Sequence, residues 1–201
     1  MAITNGYCTL AELKAALRIS DTVDDSLLEP AIESASRLID GHCQRVFYNA
    51  GTATRVYVAT YRDLVYTDDI AGTALTLKTS TDEDGVFDVT WKTSDYQLEP
   101  VNGLVAGAAS PYTRIRAIDN HWFPHGSIAA VQVTATYGWP SVPSAVKQAC
   151  VIQSSRLFKR LDSPLGVAGF GDIGIMRVDR GLDSDVAQLL GPFVKFPHGV
   201  A

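Results

Sequence analysis

The sequence holds few cysteines, no long apolar run and no basic excess. Three cysteines in 201 residues, Cys8, Cys43 and Cys150, cannot all pair within one chain, and none stands in CxxC spacing. They read as reduced thiols made in a cytoplasm, not as a disulfide framework. No apolar stretch approaches the roughly 20 residues needed to cross a bilayer, so no membrane contact is expected. The opening Met1-Ala2-Ile3-Thr4-Asn5-Gly6 lacks the charged start and apolar core of a signal peptide. A net charge of −5 argues against a dedicated nucleic-acid binder, which carries a strong basic excess.

What is present is the composition of a folded domain, with 46% hydrophobic and 19% charged residues. The charge is unevenly spread. Residues 51–143 hold 6 Lys/Arg against 10 Asp/Glu, while residues 144–201 hold 7 against 5. An acidic middle and a mildly basic C-terminal arm are expected, the arm suited to an acidic protein or to phosphate.

The hydrophobic periodicity predicts an α+β protein in which two helical blocks bracket an antiparallel β-rich insertion, a small sheet, sandwich or partial barrel. The divisions read as 1–50, 51–140 and 141–201. Thr9-Leu10-Ala11-Glu12 has the form of a capping box, and Leu10, Leu13 and Leu17 follow at helical spacing. The acidic stretch Asp21–Asp25 is expected to end that helix and open a longer one. On the second helix Leu27, Leu28, Ala31, Ile32, Ala35, Leu38, Ile39 and Cys43 share one face. Pro30 is expected at or just past its first turn. The period then changes to two, with strands expected over Thr54–Ala59, Ala74–Thr79, Val86–Lys92, Tyr96–Glu99, Thr113–Ile118 and Ile128–Tyr137. Asn102–Ser110 reads as a loop. After Gly138-Trp139-Pro140, a last long helix carries Val146, Ala149, Cys150, Leu157 and Leu161 as a stripe. Val151 and Phe158 form a second row that needs another neighbour.

The motifs that bear on chemistry fail for want of context. Gly169-Phe170-Gly171-Asp172-Ile173-Gly174 matches GxGxxG, but a helix precedes it and Asp172 would sit inside the phosphate cradle. His121 and His125 have zinc-helix spacing, but Pro124 opposes a helix there. His42 reads as a core or helix-end histidine. Asp82, Asp84 and Asp88 lack the ligand pattern of a calcium loop and read as a solvated hairpin tip. No catalytic, cofactor or metal residue is assigned. Trp139 reads as a core aromatic beside a turn. The apolar residues of the glycine-rich loop, Leu165, Phe170, Ile173, Ile175 and Met176, together with Val151 and Phe158, read as surface for a sister subunit or other partner. Arg156, Lys159, Arg160 and Arg177 are the candidate contacts for an acidic partner or for DNA in a channel.

The order of segments resembles the gp6-like head–tail connector proteins of tailed bacteriophages, also called adaptors. The resemblance rests on Thr9–Ile19 with Asp24-Asp25-Ser26-Leu27-Leu28, on Gly138–Pro143 leading into Val146–Ala149, on Ser155–Arg160 with Ser163-Pro164, and on Leu182–Leu190. It is looser through residues 52–136. The family implies a helical bundle formed by the N- and C-terminal helices, in a structural virion protein of the neck, made in a bacterial cytoplasm and without enzymatic activity. Its copies form a ring, commonly twelvefold, under the portal protein. The ring continues the DNA channel, touches passing genomic DNA only transiently, and meets a head-closure or tail-completion protein. By position, the portal-docking arm would be Asp183–Phe193, with Asp183, Val186, Leu189, Leu190 and Phe193 as its contacts. The alternatives are another neck protein, or a β-module that binds glycan or protein.

Overall fold

The computed structural model describes residues 3–82, 85–126, 128–161, 167–169, 175–177 and 182–195. They group into two compact units, one formed by the described residues of 3–45 and 142–195 and the other by those of 46–141.

The first unit is helical. Helix α1 spans Leu10–Leu17 and is opened by the complete capping box. Glu12 N–H donates to Thr9 Oγ1 at 3.2 Å, and Thr9 N–H donates to Glu12 Oε2 at 2.8 Å. Two orphan amides are thereby satisfied reciprocally. The helix stops before the acidic stretch, because Arg18 turns into the left-handed region at φ 60° and sends its N–H back to Ala15 O. Helix α2 spans Asp25–Cys43 with Pro30 inside it, beyond the first turn. Leu28, Ala31, Ile32, Ala35, Ile39 and Cys43 are buried as the periodicity requires, and Ser36 is buried with them. Leu27 and Leu38 depart from expectation, at 47% and 46% exposed. They flank the apolar stripe, beyond the width that one packed neighbour covers.

Helix α3 spans Ser144–Leu161 and packs on α2 and α1. Its buried residues are Val146, Ala149, Cys150, Gln153 and Ser154. The expected stripe therefore holds only over its first half. Leu157 is half-buried and Leu161 is 58% exposed, while polar Gln153 and Ser154 take the inner positions. Short strands β9 (Val167–Gly169) and β10 (Ile175–Arg177) pair antiparallel within the stretch expected as a glycine-rich loop. Helix α4, Ser184–Leu190, is capped by Asp183, whose carboxylate accepts from Asp185 N–H at 2.8 Å; a 3-10 turn, Gly191–Phe193, follows. Lys195 N–H then donates to Cys43 O at 2.9 Å.

The second unit is an antiparallel sheet of order β1 (Asn49–Tyr57), β8 (Val131–Gly138), β2 (Leu64–Thr79), β7 (Tyr112–Ala117) and β4 (Tyr96–Glu99), with β3 (Val89–Thr90) added on β2. A separate hairpin, β5 Leu104–Val105 with β6 Ala108–Ala109, stands where a plain loop was expected. The 16-residue β2 starts ten residues before its predicted first residue. Its first part pairs with β7 and its last part with β8, with register shifts near Ile70. The predicted Val86–Lys92 shrinks to the two residues of β3. Val65, Ile70, Leu77, Ile115, Val131 and Val133 form the fully covered centre of the sheet's core.

Trp139, just after β8, is fully buried. It lies against Phe47, ring centroids 5.3 Å apart, and its Nε1–H donates to Asp69 Oδ2 at 3.1 Å. The preceding Gly138 has φ +96°, and a Cβ there would lie 2.0 Å from Tyr48 O. Only glycine fits where β1 and β8 close on each other.

Candidate assembly surfaces

The C-terminal stretch of α3 and the arm after it were the strongest candidates in the sequence, and the structure divides their residues. Arg156 is half-buried and forms an ion pair with the carboxylate of Asp183. Asp183 also donates its N–H to Gln153 Oε1 at 3.3 Å. The arm is thus clasped to α3 by one charge pair and one buried amide. Lys159 and Arg160, on the last turn of α3, are exposed. Cations at that position suit the negative end of the helix dipole and remain free to meet an external acid. The side chain of Arg177 lies outside the described residues.

Val186, Leu190 and Phe193 follow at spacings of four and three. All are buried within the helical unit, where α4 packs on α3. Leu189 is half-buried, and Ser184, Asp185 and Gln188 form the exposed edge. The arm therefore shows the outside a polar edge with Leu189, its other apolar contacts being taken up inside its own bundle. Of the proposed subunit contacts, Val151 and Phe158 are half-buried on α3. Leu165, Phe170 and Ile173 lie outside the described residues, as do the side chains of Ile175 and Met176.

The structure adds a surface that the sequence reading assigned to the core. Leu27, Pro30, Ala31 and Ser34 of α2 and Leu157 and Leu161 of α3 line an open apolar groove of about 300 Å³. Pro30 removes an N–H from the helix ladder on this side. The only earlier signal was the excess of apolar residues, wider than a stripe facing one neighbour.

The remaining candidates fall to ordinary structural roles. His42 is exposed in the last turn of α2, so the helix-end reading holds and the core reading does not. His121 is exposed, with its ring 5.5 Å from that of Trp91 and Nε2 3.8 Å from Asp95. Among the described residues no group of three His, Cys, Asp or Glu side chains could hold a metal. Thr81 Oγ1 donates to Asp88 at 3.1 Å in the hairpin between β2 and β3, and Asp84 lies outside the described residues.

Residues 7–68, from the segment before α1 into β2, match the family model of the phage gp6-like head-tail connector protein. The matched segment is about a third of the chain. Solved structures show a similar fold along nearly the whole chain. One, from the neck of an empty GTA particle computed with C6 symmetry, has a TM-score of 0.57 and 15% identity. A second, from the neck of a native GTA particle computed with C12 symmetry, has a TM-score of 0.56 and 17% identity. A third, from the virion of a native gene transfer agent particle, has a TM-score of 0.57 and 16% identity. Each covers 99% of this chain and 96% of its own. The fold of these neck chains therefore includes a counterpart of the β-rich unit as well as of the helices. Comparison with curated proteins gives no match.

Proposed function

We propose that the protein is a head–tail connector of a phage-like particle, a structural subunit of the neck that performs no chemistry. The observation that carries this reading is the connector match over residues 7–68, set inside a fold shared along its full length with neck chains. Copies assemble into a closed ring, as symmetric necks of sixfold or twelvefold order require. A ring needs two different, complementary surfaces on each copy, and the half-buried row Val151/Phe158 supplies part of one. The ring continues the DNA channel between the portal protein and a head-closure or tail-completion protein.

In this reading the arm meets the portal through its polar edge and Leu189, with Asp183 holding the arm in place. Lys159 and Arg160 supply the cationic contact, either to an acidic partner or to DNA in transit. Electron microscopy of the purified chain mixed with portal rings tests the proposal. A ring of this protein seated on the portal is expected. A chain that stays monomeric and leaves portal particles bare would overturn it, while rings that bind only a tail-side protein would move the assignment to another neck component.

A further inference from the structure

Two of the three thiols touch each other. Cys8 lies just before the cap of α1, Cys150 lies in the middle of α3, and their sulfurs are 3.4 Å apart. Both are buried, Cys8 at 4% exposure and Cys150 at none. The segment before α1 is held to α2 at this point, because Tyr7 N–H donates to Ser36 Oγ at 3.0 Å. Ser36 in turn donates to Ile32 O at 2.8 Å and lies 3.5 Å from the Cys150 sulfur. Ser154, one turn along α3, lies 3.7 Å from it on the other side. The Cys8 thiol donates to the Cys150 sulfur. That contact lowers the pKa of Cys150 and, reinforced by burial, raises that of Cys8. Cys43 has no such neighbour among these groups, and burial pushes its thiol up to about 12.

We propose that Cys8 and Cys150 are a latent disulfide site, closed by a peroxide-class oxidant to staple the segment before α1 to α3. A disulfide has its sulfurs about 2.05 Å apart, so the pair needs an approach of about 1.3 Å. The Cys150 thiolate attacks one oxygen of hydrogen peroxide and breaks the O–O bond, giving a sulfenic acid. The expelled hydroxide takes up the proton released by the thiol and leaves as water. Cys8 sulfur then attacks the Cys150 sulfur and displaces the second hydroxide, which leaves as water with the Cys8 proton. The two sulfurs lose two electrons, and the peroxide is reduced to two waters.

The small oxidant matters, because neither sulfur is open enough for a bulky disulfide reagent. The biological occasion rests on the connector reading: a neck subunit is made in a reducing cytoplasm and then works in a particle outside it. The bond would enclose all of the sheet unit in one covalent loop. Long loops give the larger entropic stabilisation.

The test uses the full chain, folded, exposed to hydrogen peroxide, alkylated, digested and mapped by mass spectrometry. A peptide linking Cys8 to Cys150 is expected, with free thiols falling from three to one and Cys43 remaining reduced. The thermal midpoint should rise by about 5–10 °C and fall back on reduction with dithiothreitol. The Cys43→Ala variant should behave in the same way, and Cys8→Ser should form no internal link. Three free thiols in a folded, peroxide-treated protein would overturn the site, as would a link through Cys43 or between chains. Ring formation is scored separately on the same samples. A linked protein that never forms rings would sink the connector reading and leave the disulfide site standing.

Discussion

At the scale of single residues, the clearest determinants are those whose partners lie close in sequence. Thr9 and Glu12 satisfy each other's backbone, and Glu12 also reaches Lys147 Nζ at 3.0 Å. Thr9→Ala should lower unfolding stability by about 1 kcal/mol in a denaturant titration. The Glu12 carboxyl is held below its ordinary value, first by the Thr9 backbone N–H and then by Lys147. Its contribution is therefore present at neutral pH and is lost as pH falls below 4.5 and through the folded value. Glu12→Gln should flatten that part of the acid unfolding curve; an unchanged curve would remove Glu12 from the account. This capping box was legible because its four residues are consecutive. The burial of Ser36, Gln153 and Ser154 was not, since a polar side chain enters a core only where distant groups satisfy it.

Among elements, the ends of helices and strands were harder to place than their centres. Helix α1 ends on Arg18, a non-glycine in the left-handed region, so no glycine marked the boundary. Arg18→Gly should raise stability by about 0.5–1 kcal/mol by relieving that conformation, measured as a shift in urea midpoint. Gly138 presents the opposite case. Gly138→Ala meets both the positive φ and the Tyr48 carbonyl, and should cost more than about 2 kcal/mol, visible as a large loss of thermal midpoint. Strand β2 was half-legible. Its last six residues alternate cleanly, while its first part carries Thr67, Asp68 and Asp69. Asp68 is engaged by Arg55 at 2.6 Å and by Tyr57 at 3.1 Å, and Asp69 by Trp139. Acidic residues oppose a strand reading until those partners are known.

For the whole molecule, the useful distinction is between surface already occupied and surface still open. Val186, Leu190 and Phe193 are occupied, and Arg156 is paired with Asp183. Lys159 and Arg160 are open. The double substitution Lys159→Glu with Arg160→Glu should leave stability within about 0.5 kcal/mol, as exposed positions do. It should weaken association with portal rings or DNA by more than tenfold at low salt, with a shallower salt dependence. Sedimentation or fluorescence anisotropy across a salt series reads this out. Unchanged binding would show that these cations only complement the helix dipole.

By itself, the sequence determined the elements with strong local periodicity: α1, α2, α3 and the central strands. It also carried the order of segments that resembles the connectors. Periodicity and capping act over a few residues and are written in consecutive positions. Only the tertiary structure decided which apolar residues are spent inside. Leu27 and Leu161 went to an open groove, Phe193 went to the core, and two thiols 142 residues apart came into contact. A stripe of apolar residues records that a face needs cover. Which chain segment supplies the cover is settled by packing among parts that are distant in sequence.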